Sequence, residues 1–307
     1  MTKPKKKINW REKGFILALV IVPLVNFALF WVYVNIDTIV MTFQRFSIRN
    51  NNYEWIGFDR YVSLFQDCFM GKNKAMQNMI LNSFRSYIIQ IVLFPLCIIA
   101  AYAFFKKIRW EKYFRVTFYL PSVISITVLV LMYRYMFHPD FGPISMMFES
   151  LGLGGDWLSP ESDRMWGLIY VFCIWSGLGS TVIMMNSAML RIPKEIIEAG
   201  KLDGIGFWRE LFNVVLPLIM PTIGVFILGI FLSPLSFGVL PMLVAGNPGV
   251  DNKFMTMGWY ILSSVSGGSE VTMLDASTVG LMMSVFMVPI VVFGRLITKK
   301  FTPEVDF

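Results

Sequence analysis

The sequence predicts an all-α integral membrane protein of six transmembrane helices with one helix-turn-helix loop on the cytoplasmic side. Three observations predict it. First, 56% of the 307 residues are apolar and only 15% are charged, against about 45–50% and about 25% in soluble domains; the mean hydropathy is +0.62. Second, six apolar runs reach the ~20 residues that a bilayer core demands of a helix. Third, 18 of the 27 Lys and Arg fall in the four segments that a six-span reading places on one side, the asymmetry expected of a cytoplasmic face.

The spans follow in order. The first covers about 15–34, behind a basic start (Lys3, Lys5, Lys6, Lys7). Its apolar run is too long for a signal-peptide core and no small-x-small cleavage site closes it, so it reads as a retained anchor. The lysines serve topology. The remaining spans cover about 78–105, 116–137, 165–190, 212–245 and 276–297. The Lys- and Arg-rich segments are the N-terminus, 106–115, 191–210 and the end from Arg295 onward. Both termini are therefore predicted cytoplasmic. Arg85 and Arg134 lie near span ends, where long side chains can reach the membrane surface. The net charge of +7 is accounted for by topology and is no nucleic-acid footprint.

The spans are as informative for what they omit. All 20 Asp and Glu lie outside them or at their edges, as Asp37 and Asp275 do. Ion-coupled carriers often keep intramembrane carboxylates despite their cost, so a carrier or channel is disfavoured, and no acidic dyad is available for catalysis within the membrane. The single histidine, His138, and three cysteines, Cys68, Cys97 and Cys173, match no zinc spacing; an odd cysteine count argues against a disulfide framework. A membrane-embedded enzyme is disfavoured on the same grounds. No phosphate-cradling G-x-x-x-x-G-K-[ST] occurs, so no nucleotide hydrolysis is expected of this chain.

The 191–217 loop carries the functional argument. Pro193 suits a first helical turn, and Glu195 and Glu198 sit early in the helix, where negative charge is favoured. Gly204 and Gly206 break it, and a second helix starts near Phe207 and runs into Leu216-Pro217. An ordinary interfacial helix would also carry aromatics and charges. The spacing is more specific. Glu198, Ala199, Asp203, Gly204, Val214, Leu216 and Pro217 resemble the "EAA" loop of ABC importer permeases, E-A-A-x-x-x-G, nine residues, then I-x-L-P. Gly200 replaces the second alanine and Val214 the usual isoleucine. Further motifs are similar to carbohydrate-uptake permeases of the maltose type: Asn82-Ser83 opening span 2, Leu120-Pro121-Ser122, Phe141-Gly142-Pro143, Trp157-Leu158, Ile174-Trp175 with Leu190-Arg191-Ile192-Pro193, and Gly246-Asn247-Pro248-Gly249 followed by Thr256. The resemblance spans roughly residues 10–300.

That resemblance implies the rest. It divides the chain into a cytoplasmic basic N-terminus (1–14), a six-span permease domain (15–297, coupling loop 191–211) and a cytoplasmic tail (298–307), in the cell membrane. Such permeases form half of a translocation pathway for a sugar, oligosaccharide or glycan fragment. Partners are a second permease, as a heterodimer, two cytoplasmic ATP-binding subunits and an extracytoplasmic solute-binding protein. No cofactor is held by this chain; ATP and Mg belong to the partner ATPase. Glu195, Glu198, Ala199, Gly200, Asp203 and Gly204 would meet the ATPase. Gly177, Ser180, Gly229, Leu232, Ser233 and Ser236 fall on or near positions that contact sugar in the maltose-type pattern. Small residues also serve close helix packing, which is the competing reading for each. Ser stands where the maltose pattern has Asn, pointing to a different ligand or pose, and a non-sugar polyhydroxylated solute stays open. The absence of a basic residue in mid-span favours a neutral solute.

Overall fold

The computed structural model describes residues 10–162, 164–236, 239–267 and 269–301; the Lys3–Lys7 run and the last six residues lie outside them. The first apolar run is helical over Trp10–Asn26, π-helical over Phe27–Tyr33 and α-helical again over Val34–Thr42, longer than predicted at both ends. No residue of its most apolar window is buried. It leans on the rest of the chain mainly through Val34–Thr42, against the last helix.

Three other runs are single helices close to their predicted limits: Lys74–Phe105, Arg164–Met189 and Glu270–Phe301. The first of these starts where the Asn73 side chain accepts the Met76 N–H, 3.3 Å, an N-cap of the usual kind.

The two remaining runs are bent. The third divides into Glu111–Val123 and Ile126–Met136, which meet at 112°. Ile124 and Ser125 between them have extended ψ values of 143° and 133°, just past Pro121. The fifth, predicted as one span over 212–245, is bent in its first half. Helix Phe207–Leu218 meets Met220–Phe231 at 81°, and a further helix, Val239–Ala245, follows. Proline chemistry explains the bend. Pro217 has no N–H to give, and the ladder before it shifts by one residue, so that Leu216 N–H bonds the Leu211 carbonyl and Leu211–Val215 is π-helical. Pro221 then opens the next helix two residues past the bend at Ile219.

The chain has two distinct ends. At the hairpin end, strands Gln44–Ser47 and Asn52–Trp55 pair antiparallel, and an amphipathic helix, Asp59–Phe69, buries Arg60, Leu64 and Cys68. Neither element was expected from the sequence. Arg60 lies 3.6 Å from Asp275; its burial lowers its pKa, and Asp275 opposes that shift. Burial, with Asp67 nearby, pushes the Cys68 thiol up to about 11, so it stays protonated at neutral pH. All three cysteines are free. At the opposite, basic end lie the 106–110 turn and the 190–206 loop.

One apolar core joins the second and fourth spans to that loop, from Leu93, Tyr102 and Phe104 through Val182 and Met189 to Ile197, Leu211 and Val215. A second, nearer the hairpin end, joins Leu129 and Tyr133 to Phe172, Trp166 and Phe254.

Candidate functional site

At the basic end, helix Lys194–Leu202 starts directly after Pro193, which occupies the N-cap with extended backbone rather than the first turn. Gly204 stops the helix. It adopts φ +69°, Ile205 N–H bonds the Gly200 carbonyl and Gly204 N–H bonds the Lys201 carbonyl, both at 3.1 Å. This is a Schellman cap, which needs a left-handed residue at Gly204. Gly206 needs no such freedom; it has φ −73° and caps the next helix.

The helix divides its residues cleanly. Ile197 and Gly200 are buried, while Glu195, Glu198, Ala199 and Asp203 are exposed. Leu202 is 89% exposed and shares a face with Glu195 and Glu198, at spacings of three and four. The six loop residues singled out from the sequence thus lie on one compact unit, five of them at its surface. A Cβ on Gly200 would meet only Ile205 Cδ1, at 3.7 Å.

Sequence reasoning missed what holds this unit. Glu210 is 2% exposed, and its carboxylate oxygens accept from Lys106 Nζ at 2.8 and 3.0 Å. One turn earlier, Tyr102 donates its hydroxyl to the Phe207 carbonyl at 3.2 Å, with the two rings 4.6 Å apart. Beside them Asn186 of the fourth span donates to the Ala101 carbonyl at 3.1 Å.

A second feature lies within the bundle. A cavity of about 200 Å³ opens between the second and fourth spans. Its polar wall is Ser86 and Gln90 from one and Ser176, Gly177, Ser180 and Thr181 from the other, closed by Leu93, Ile126 and Leu240. Among the described residues no charged side chain lines it. Gly177 and Ser180, expected from the sequence, are therefore brought together there. Gly177 also lets the spans approach, since a Cβ would come within 2.5 Å of Leu93 Cδ2. Gly229 is exposed and lines no part of this cavity. Leu232, Ser233 and Ser236 fall in helix Met220–Ser236, but their side chains lie outside the described residues. Gln90 was missed, although an amide amid an apolar run was a legible signal.

At the hairpin end the structure joins two motifs that sequence reading took separately. Asn82 Nδ2 donates to the carbonyls of Lys253 and Met255, both at 2.8 Å, and Ser83 Oγ accepts the Met257 N–H at 3.0 Å. Asn78 donates to the Asp251 carbonyl at 2.9 Å. Arg85 lies over the Trp166 ring, 5.0 Å from its centre. The Arg134 guanidinium lies where a Cβ on Gly246 would stand, and Gly246 has φ +72°.

Residues 93–307 match the family described as "Binding-protein-dependent transport system inner membrane component". A probable ABC transporter permease of Bacillus subtilis, YurN, is 31% identical over 204 residues, covering 65% of this chain and 68% of that protein. The diacetylchitobiose uptake system permease NgcF of Streptomyces coelicolor is 24% identical over 267 residues, 82% of this chain and 74% of its own. Among solved structures, a bacterial ABC transporter involved in the import of the acidic polysaccharide alginate superposes with a TM-score of 0.80. It is 22% identical and covers 95% of this chain and 98% of that one.

Proposed function

The chain belongs to the binding-protein-dependent transport-system inner membrane components, and from that premise we propose that it forms half of the pathway of an ATP-driven importer for a neutral sugar or oligosaccharide. The observation that carries the substrate class is the uncharged cavity. Gln90, Ser176 and Ser180 offer neutral hydrogen-bonding groups beside Leu93, Ile126 and Leu240, a pairing suited to hydroxyls above and the apolar face of a sugar ring below. Gly177 and Ser180, with Gly229, Leu232, Ser233 and Ser236 of the fifth span, form the pathway in this reading. Relatives named for diacetylchitobiose and for multiple sugars support it. Permeases named for sn-glycerol-3-phosphate are also related, and the lack of a basic group among the described residues of the cavity wall weighs against an anionic cargo here.

A second, different permease completes the pathway, and two ATP-binding subunits carry ATP and Mg beneath it. The basic end faces the cytoplasm with both termini, and a solute-binding protein delivers cargo at the hairpin end. The helix Lys194–Leu202 rests against an ATPase, with Glu195, Glu198, Ala199 and Asp203 at the contact and Gly200 and Gly204 shaping it. For this loop to couple anything, its contacts must differ in free energy between the two states of the ATPase pair.

Purification of the tagged chain from its native host tests the assembly: a second permease and an ATPase should accompany it, and a chain that arrives alone and monodisperse defeats the reading. Glu198→Lys and Gly204→Asp should each abolish uptake while the chain stays in the membrane. Gly204→Asp forces a side chain onto a left-handed backbone, and Glu198→Lys reverses the charge of the contact. Normal uptake by both variants would remove the coupling role from this loop. Uptake of neutral disaccharides with exclusion of uronate oligomers separates the proposed cargo from an acidic one.

A further inference from the structure

We propose that the Lys106–Glu210 pair is the joint through which the 194–210 segment moves the second span, so that both residues act as positioning groups in transport. The inference rests on the coupling reading of that segment.

The segment has two covalent exits, and neither is a straight helix. Toward the fourth span it leaves through the non-helical turn at 190–193. Toward the fifth it leaves through the π-helical Leu211–Val215 and the 81° bend, where a widened ladder and two prolines make a compliant link. A force on Lys194–Leu202 is therefore poorly transmitted along the chain. The lateral attachment is stiffer. It has two points one helical turn apart on the second span: the Tyr102 hydroxyl on the Phe207 carbonyl, and Lys106 Nζ on both oxygens of Glu210. Tyr102 is fully buried and Glu210 nearly so. Asn186 ties the fourth span to the second at the same level, so the segment and these two spans form one block.

The choice of chemistry supports the assignment. A buried ion pair adds little stability over apolar residues of the same volume, because desolvation offsets the attraction. It does fix orientation, since Nζ must face both carboxylate oxygens. Lys106 also closes the C-terminal end of its helix, where a positive charge is favoured. An apolar contact at this place would hold the elements together and let them slide.

The test uses the full importer complex in liposomes. Spin labels go on Lys201→Cys in the segment and Ile88→Cys on the second span, with Cys68, Cys97 and Cys173 replaced. Their distance is measured without nucleotide and after trapping with ATP and vanadate. With the native pair, the distribution is expected to stay narrow with the same mean in both states, because the two elements move as one. With Lys106→Met and Glu210→Gln together, which keeps the bulk and removes the charges, trapping should broaden it and shift the mean by about 2 Å or more. ATP turned over per solute moved should rise several-fold. Exchanging the charges, Lys106→Glu with Glu210→Lys, should restore the narrow distribution. A native pair whose distance shifts on trapping, or a neutral pair that behaves as the native one, overturns the joint. So does a neutral pair in which ATP hydrolysis and uptake fall in parallel, with no rescue by exchange; that is a folding defect. A native complex that holds no ATPase defeats the importer reading instead, and the two failures are thereby told apart.

Discussion

The second span is fastened at both of its ends, by opposite means. At the basic end Lys106 and Tyr102 hold Glu210 and Phe207, and the principal bond joins two charges. At the hairpin end Asn78, Asn82 and Ser83 hold residues 251–257 through uncharged bonds to the backbone, and the charge pair beside them, Lys74 with Asp251 at 3.5 Å, is exposed to solvent. The difference teaches what each end tolerates. A charge pair is selective and costly to leave half made. Amide-to-carbonyl bonds are individually modest, about 0.5–1.5 kcal/mol net, and hold a loop whatever side chains it carries.

That contrast is sharpest for single substitutions. Lys106→Met leaves a carboxylate at 2% exposure without its cation, and about 3–5 kcal/mol of stability should be lost. Glu210→Met leaves Lys106, which is 23% exposed and can turn to water, so its loss should be smaller. Denaturation of the two purified variants in one detergent measures the ordering, and equal losses would deny that burial sets it. At the other end Asn82→Leu removes its two bonds to the Lys253 and Met255 carbonyls, for about 1–3 kcal/mol. Faster amide exchange confined to 250–257 is the expected signature; faster exchange throughout the second span would mean that the clamp supports the span and not the loop. The smallest effect is a gain. Gly200→Ala meets only Ile205 Cδ1 at 3.7 Å and should stabilise by about 0.5–1 kcal/mol. A loss of stability would show that the helix tolerates no added bulk against Ile205.

Much of the architecture was readable from the residues because a bilayer imposes a simple length rule. The runs at 78–105, 165–190 and 276–297 became single helices with modest extensions. The loop was readable because Pro193, Gly204 and Gly206 punctuate it. The bends were signalled only in outline: Pro121, Pro217 and Pro221 were visible, but hydropathy counts residues and is blind to direction. The hairpin at Gln44–Ser47 and Asn52–Trp55 is too short to show alternation, and its second strand is exposed throughout. Glu210 and Lys106 could not be joined in advance, being 104 residues apart with no periodicity linking them. Gly177 and Ser180 were singled out by resemblance to the maltose-type pattern after Trp175; Ser86 and Gln90, on another helix, come to the same cavity only through packing.

The clamp at the hairpin end also bears on how such a chain can change over generations. Asn82 bonds Lys253 and Met255 through their carbonyls, and a carbonyl is present in every amino acid. Substitutions at those two positions leave its bonds intact, so mutation can redraw the chemistry of that surface without a compensating change in the span beneath. The Glu210 side has no such licence: any drift there must be matched at Lys106.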